Sequence, residues 1–60
     1  MVAMSQHAAF YIEAARRCYD IARQCSPADR NIAEELILIG HQLEERAICH
    51  GAAPEDLPQP

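Results

Sequence analysis

The six residues Cys25-Ser26-Pro27-Ala28-Asp29-Arg30 decide the fold. They read as the stop of one helix and the start of the next. Ser26 is a good N-cap, because its hydroxyl can accept from a backbone N–H that the first helical turn leaves unpaired. Pro27 then takes the first helical position, where its missing N–H costs nothing and its fixed φ suits a helix. Asp29, three residues after Ser26, completes a near capping box with Asp in place of Glu or Gln, and puts negative charge at the positive helix end. Pro27 also disfavours helical geometry at Ser26, so the first helix should stop near Cys25. The expected architecture is all-α: an antiparallel two-helix hairpin over residues 1–51. Helix 1 covers about 3–25, the turn 25–28 and helix 2 about 27–50.

The flanking sequences carry the matching periodicity. At about 100° per residue, Met4, Ala8, Tyr11, Ala15, Cys18, Ala22 and Cys25 share one face of helix 1. Phe10, Ala14 and Ile21 extend that face on one side, and Ile12 and Tyr19 on the other. The polar face holds Glu13, Arg16, Arg17, Asp20, Arg23 and Gln24. In helix 2, Ile32, Leu36, Ile39 and Leu43 form one stripe, beside Ala33, Ile37, Gly40, Ala47 and Ile48. Leu38 is the one apolar residue on the polar side. Gly51 is a natural left-handed helix stop. Residues 52–60 form a proline-rich C-terminal tail without periodicity.

Small residues recur every seventh position, at Ala8, Ala15 and Ala22 and again at Ala33, Gly40 and Ala47. An antiparallel hairpin pairs positions whose numbers add to a constant. Ala8 with Ala47, Ala15 with Gly40 and Ala22 with Ala33 each add to 55, which puts the fold point between Pro27 and Ala28. The capping residues place the turn there independently. Small residues facing small ones form the intra-hairpin seam and let the backbones approach toward the short end of the ~8–10 Å range of packed helices. Both apolar arcs are nevertheless too wide for two helices to cover each other. Phe10, Ile21, Ile32, Leu36, Ile39 and Leu43 remain as a dimer or partner interface, larger than monomers usually expose. The simplest cover is a second copy, giving a two-fold four-helix bundle; another protein's helix is the alternative occupant.

Composition narrows the function classes. Sixty residues make one small domain, marginal alone unless something staples it. With a net charge of −4 and five basic residues, the chain is a poor partner for nucleic acid or an anionic membrane surface. No apolar run approaches the ~20 residues needed to span a bilayer. The N-terminus has no basic region or signal-peptide core, which places the protein in the cytoplasm with reduced thiols.

Six residues have metal-ligating side chains: Cys18, Cys25, Cys49, His7, His41 and His50. There is no C-x-x-C and no H-x-x-x-H among them. Cys18 and Cys25 lie two turns apart, roughly 10 Å along the axis, beyond the ~7 Å reach of a disulfide. They read as small buried hydrophobes. Cys49-His50 sits at a helix C-terminus, whose negative end does not activate a thiol as a nucleophile. His50 reads as a complement to the negative helix end. Glu44 falls in the apolar arc opposite Tyr11, whose hydroxyl can satisfy it. Glu34-Glu35 and Glu44-Glu45 point about 100° apart and form no catalytic pair. No triad and no Glu-x-x-His is present, so no catalytic residue, cofactor or metal is expected.

Phe10-Tyr11-x-x-x-Ala15-x-x-Cys18-x-x-x-Ala22, followed by a Pro/Asp turn and a Leu/Ile-rich helix, resembles a group of short, uncharacterised bacterial two-helix proteins. The likeness runs over most of residues 10 to 47. This chain departs from it in lacking a helix 2 tryptophan. The resemblance implies a helical hairpin and no activity. The expected function is a non-enzymatic homodimeric interaction module. The competing expectation is a metal- or redox-sensing dimer using Cys18, Cys25 and Cys49.

Overall fold

Ser5 opens the first helix. Its backbone is extended and its hydroxyl accepts from the Ala8 N–H at 3.0 Å, so the orphan donors of the first turn gain a side-chain partner. This computed structural model describes residues 5–59. Within them α1 runs Gln6–Gln24 and α2 runs Arg30–Cys49, packed on each other with no strand among the described residues. Helix 1 therefore begins at Gln6, later than the expected position near 3, because Ser5 caps it. The expected place of Met4 on the apolar face lies outside the described residues.

The turn falls where the capping signals put it, but its chemistry differs. Ser26 has extended backbone angles and Pro27 follows at the first helical position, yet the first turn of the second helix is 3-10, Pro27–Asp29. Such a turn closes with the Asp29 N–H on the Ser26 carbonyl, at 2.9 Å. The Ser26 hydroxyl donates to the Asp29 carboxylate at 3.2 Å and makes no cap to a backbone N–H. The α-helix proper starts at Arg30, three residues after the expected start.

At the other end α2 stops in a Schellman motif. Gly51 takes a φ of 103°, the left-handed region that a residue with a Cβ enters only under strain. The Gly51 N–H then reaches the Ile48 carbonyl and the Ala52 N–H reaches the Ala47 carbonyl, both at 3.0 Å. The Ser5 hydroxyl, while accepting at the start of α1, donates to the His50 carbonyl at 2.9 Å. One serine thus fastens the first helix's start to the second helix's end, and 5 and 50 add to 55.

Ala8, Ala15, Gly40 and Ala47 are buried between the helices, and Ala22 and Ala33 are half-buried. The side chain that fills the space over Gly40 is Tyr19, 1% exposed. A Cβ on Gly40 would fall 2.8 Å from its Cζ and 3.0 Å from its Cδ1.

The tail is part of the fold. From Ala52, buried in a cluster with Ala8, Ile12 and Ala47, the chain makes a 3-10 turn at Pro54–Asp56. The Asp56 carboxylate accepts from the Ala53 N–H at 3.1 Å. Leu57 packs on the same cluster, and the Gln59 carbonyl accepts from the Arg23 guanidinium at 3.5 Å. The strap therefore runs along α1 over the Ile12 side, from the open end toward the turn.

Candidate functional site

Two faces of the hairpin differ in what covers them. Relative to Ala15, the residues Phe10, Ala14, Cys18, Ile21 and Cys25 lie on one rotational side of α1, and Ile12, Tyr19 and Arg23 on the other. Relative to Gly40, Ile32, Leu36, Ile39 and Leu43 lie on the corresponding side of α2. Two antiparallel helices turn corresponding sides to the same face. A shallow depression lined by Tyr11 of α1 and by Ile39, Leu43 and Arg46 of α2 shows that these rows share it. The strap lies over the opposite face.

On the uncovered face, Phe10 is 66% exposed, Ile32 55%, Ile21 53% and Ile39 44%. Leu36 and Leu43 are half-buried, since they also lean into the hairpin seam. Ala14, Cys18 and Cys25 are half-buried between the exposed side chains. The rim carries Glu13 and Arg17 on α1 and Glu35 and Arg46 on α2. Glu13 pairs with Arg16 at 3.5 Å; Arg17, Glu35 and Arg46 have no ion-pair partner among the described residues.

The opposite face holds the polar cluster of the structure. Tyr19 donates its phenolic hydrogen to Glu44 Oε1 at 2.5 Å. The His41 Nδ1 lies 3.0 Å from the Tyr19 oxygen and 3.1 Å from the same Glu44 oxygen. Tyr19 has one hydrogen to give and Glu44 takes it, so His41 Nδ1 must carry a hydrogen of its own; that assignment is inferred from the pattern. Burial first, then the hydrogen bond and the charge of Glu44, and then Cys18, push the Tyr19 hydroxyl well above the usual tyrosine value. The phenol stays neutral and acts as a donor, so it is neither nucleophile nor base. The cluster holds a half-buried carboxylate in place.

Glu44 was expected to meet Tyr11, and it meets Tyr19. Helical side chains lean toward their own N-terminus. From one turn beyond Ala15, Tyr19 therefore leans back over Gly40 and reaches His41 and Glu44. By the same lean Tyr11 passes Glu44 and stacks on His50 at 5.4 Å between ring centroids, while His7 stacks on His50 at 5.3 Å. His50 caps α2, and its ring is held in this stack.

The cysteines do not converge. All three are free thiols: Cys18 and Cys25 are half-buried on the uncovered face, not in the hairpin core where small hydrophobes were expected, and Cys49 is exposed at the far end of α2. Their positions flank the seam, which explains the partial exposure. No group of three or more His, Cys, Asp or Glu able to hold a metal occurs among the described residues. No helix of the described residues is long and apolar enough to cross a membrane.

Sequence reasoning missed Ser5, Leu57 and the polar partners of Tyr19, which it placed only as an extension of the apolar face. Ser5, a serine just ahead of the first apolar repeat, was a readable cap signal. Leu57, a lone large apolar side chain among prolines, was a readable anchor. Comparison with known proteins gives no likeness to set beside these features: no family model matches the chain, and no curated protein and no solved structure does.

Proposed function

We propose that this chain is a homodimerising helical module, and that its biochemical work is association through the uncovered face. The observation that carries the reading is the unequal cover. The strap covers the Ile12 side of α1 with Ala52 and Leu57, leaving Ile48 exposed on that face, while the other face leaves four large apolar side chains, Phe10, Ile21, Ile32 and Ile39, to water. A sixty-residue chain has little core to spare, and burying each such side chain contributes about 1.5–3 kcal/mol at full burial. A second copy covers the face with the same surface, as a two-fold interface requires. The polar cluster is built to satisfy a carboxylate and not to turn over a substrate, so the module is read as non-enzymatic. Three free thiols fit a reducing compartment such as the cytoplasm.

Sedimentation equilibrium at micromolar concentration tests it. The expected mass is twice 6.7 kDa. A well-folded species of one chain's mass at that concentration overturns the homodimer and leaves the face to another protein's helix.

A further inference from the structure

We infer that the C-terminal strap is an assembly stop: it covers, within its own chain, a second face on which another copy of the chain would dock. The inference rests on the homodimer reading above, which uses only the uncovered face.

The face under the strap is apolar in its own right. Ile12 of α1 and Ile37 and Ile48 of α2 lie on the same rotational side of the seam, opposite the uncovered face. Positions adding to 55 share a height, as the Ser5–His50 bond shows. Ile48 and Ile37 therefore stand at about the heights of positions 7 and 18 of α1, one on each side of Ile12 along the axis. Only Ile12 is well shielded, at 7% exposed in a cluster with Ala52 and against Leu57. Ile37 is half-buried and Ile48 is 48% exposed. With the strap lifted, all three isoleucines stand side by side in water.

Little holds the strap to the helices. Beyond Ala52 its backbone bonds close on themselves: the Asp56 N–H reaches the Ala53 carbonyl at 2.9 Å, and the Leu57 N–H reaches the Pro54 carbonyl at 3.3 Å. The Ala53 N–H is taken up by the Asp56 carboxylate. The attachments are the Leu57 side chain and the Arg23 guanidinium, which donates to the Gln59 carbonyl at 3.5 Å. One substitution at Leu57 can thus loosen the strap without breaking a backbone bond of either helix.

Symmetry sets the consequence. A face that pairs with its own copy about a two-fold closes a dimer and stops. A chain with two such faces on opposite sides does not stop, because each added copy brings another open face. The strap removes the second face and replaces it with charge. Glu55 and Asp56 are both exposed on the strap, so two copies approaching on this side present carboxylates to each other. Like charge of this kind acts against a second copy, and a second copy is therefore the occupant the strap excludes.

Leu57→Asp, followed by sedimentation equilibrium and by circular dichroism of the helices, tests the stop. The variant is expected to keep its helices and to sediment above twice 6.7 kDa, with a mass that climbs with concentration, where the wild type holds at two chains. Adding Ile48→Glu puts a charge in the bared isoleucine row and is expected to return the mass to two chains. Leu57→Ser, a milder loosening, carries the same expectations if the aspartate variant loses its helices. An unchanged mass in the loosened variants overturns the stop. So does growth that Ile48→Glu leaves in place, which is aggregation of loosened chains and not docking on this face. A wild type of one chain's mass overturns the homodimer on the uncovered face and not the stop, which then requires Leu57→Asp to pass from one chain to two.

Discussion

At the scale of single residues, Gly40 and Tyr19 form one unit. A methyl group at Gly40 would strike the ring of Tyr19, and that ring cannot swing away because Glu44 and His41 hold its hydroxyl. Gly40→Ala is therefore expected to destabilise by about 1–3 kcal/mol, despite the roughly 1 kcal/mol that alanine gains over glycine inside a helix. Urea denaturation checks the sign; a stabilised variant would show that the ring is free to move. Tyr19→Phe removes a hydrogen bond to a charged, half-buried carboxylate and should cost about 1.5–3 kcal/mol at pH 7. The same group sets an alkaline limit. Its folded pKa is raised above the unfolded value near 10, so the folded state holds the proton more tightly. That contribution is complete below about pH 10 and is lost as pH rises through the folded value. The wild type should lose stability between pH 9.5 and roughly 11 more steeply than Tyr19→Phe. Parallel slopes for the two proteins would remove Tyr19 as the titrating group.

At the scale of elements, the helices and the turn were legible in the sequence from periodicity, with Ser26-Pro27 and Gly51 marking the ends of helix 2, while the Ser5 cap that starts α1 went unread. The spacing of Ala8, Ala15 and Ala22 against Ala33, Gly40 and Ala47 needed only position numbers, and the structure buries Ala8, Ala15, Gly40 and Ala47 at the helix–helix contact. Ala15→Leu should thus cost about 1–3 kcal/mol through overpacking, while substitution of Arg16 on the polar face stays within about 0.5 kcal/mol. Side-chain reach was not legible on a helical wheel. The wheel gives the angle of Tyr11 and Tyr19 but not their lean along the axis, and that lean decided which of them meets Glu44. Of the strap, only the anchor Leu57 was legible. Residues 52–59 have no repeat, and their packing depends on two anchors, Ala52 and Leu57, plus a backbone carbonyl on Arg23. Leu57→Ala should lower stability by about 1–2 kcal/mol, below the 2–5 typical of fully buried leucines because Leu57 is half-buried. Circular dichroism on thermal unfolding reads it, and an unchanged midpoint would make the strap an ornament of the hairpin.

At the scale of the whole molecule, stability and association are one quantity if the uncovered face is closed by a second copy. A ligand that binds only the folded state raises the midpoint with its concentration, and here the ligand is the chain itself. The wild-type thermal midpoint should therefore climb as protein concentration is raised a hundredfold. Leu36→Glu and Leu43→Glu would split and unfold the protein together, because these side chains belong to both the hairpin seam and the face. Ile39→Glu is the cleaner probe, since Ile39 is 44% exposed and takes less part in the hairpin's own packing. A charge placed there in the dimer would be buried without a partner, at a cost of several kcal/mol for each copy. The expected outcome is a lower midpoint for Ile39→Glu at every concentration and, more tellingly, a midpoint that no longer moves with concentration. If the wild-type midpoint is itself flat across the hundredfold range, folding does not depend on a second copy, and the apolar face answers to some other surface.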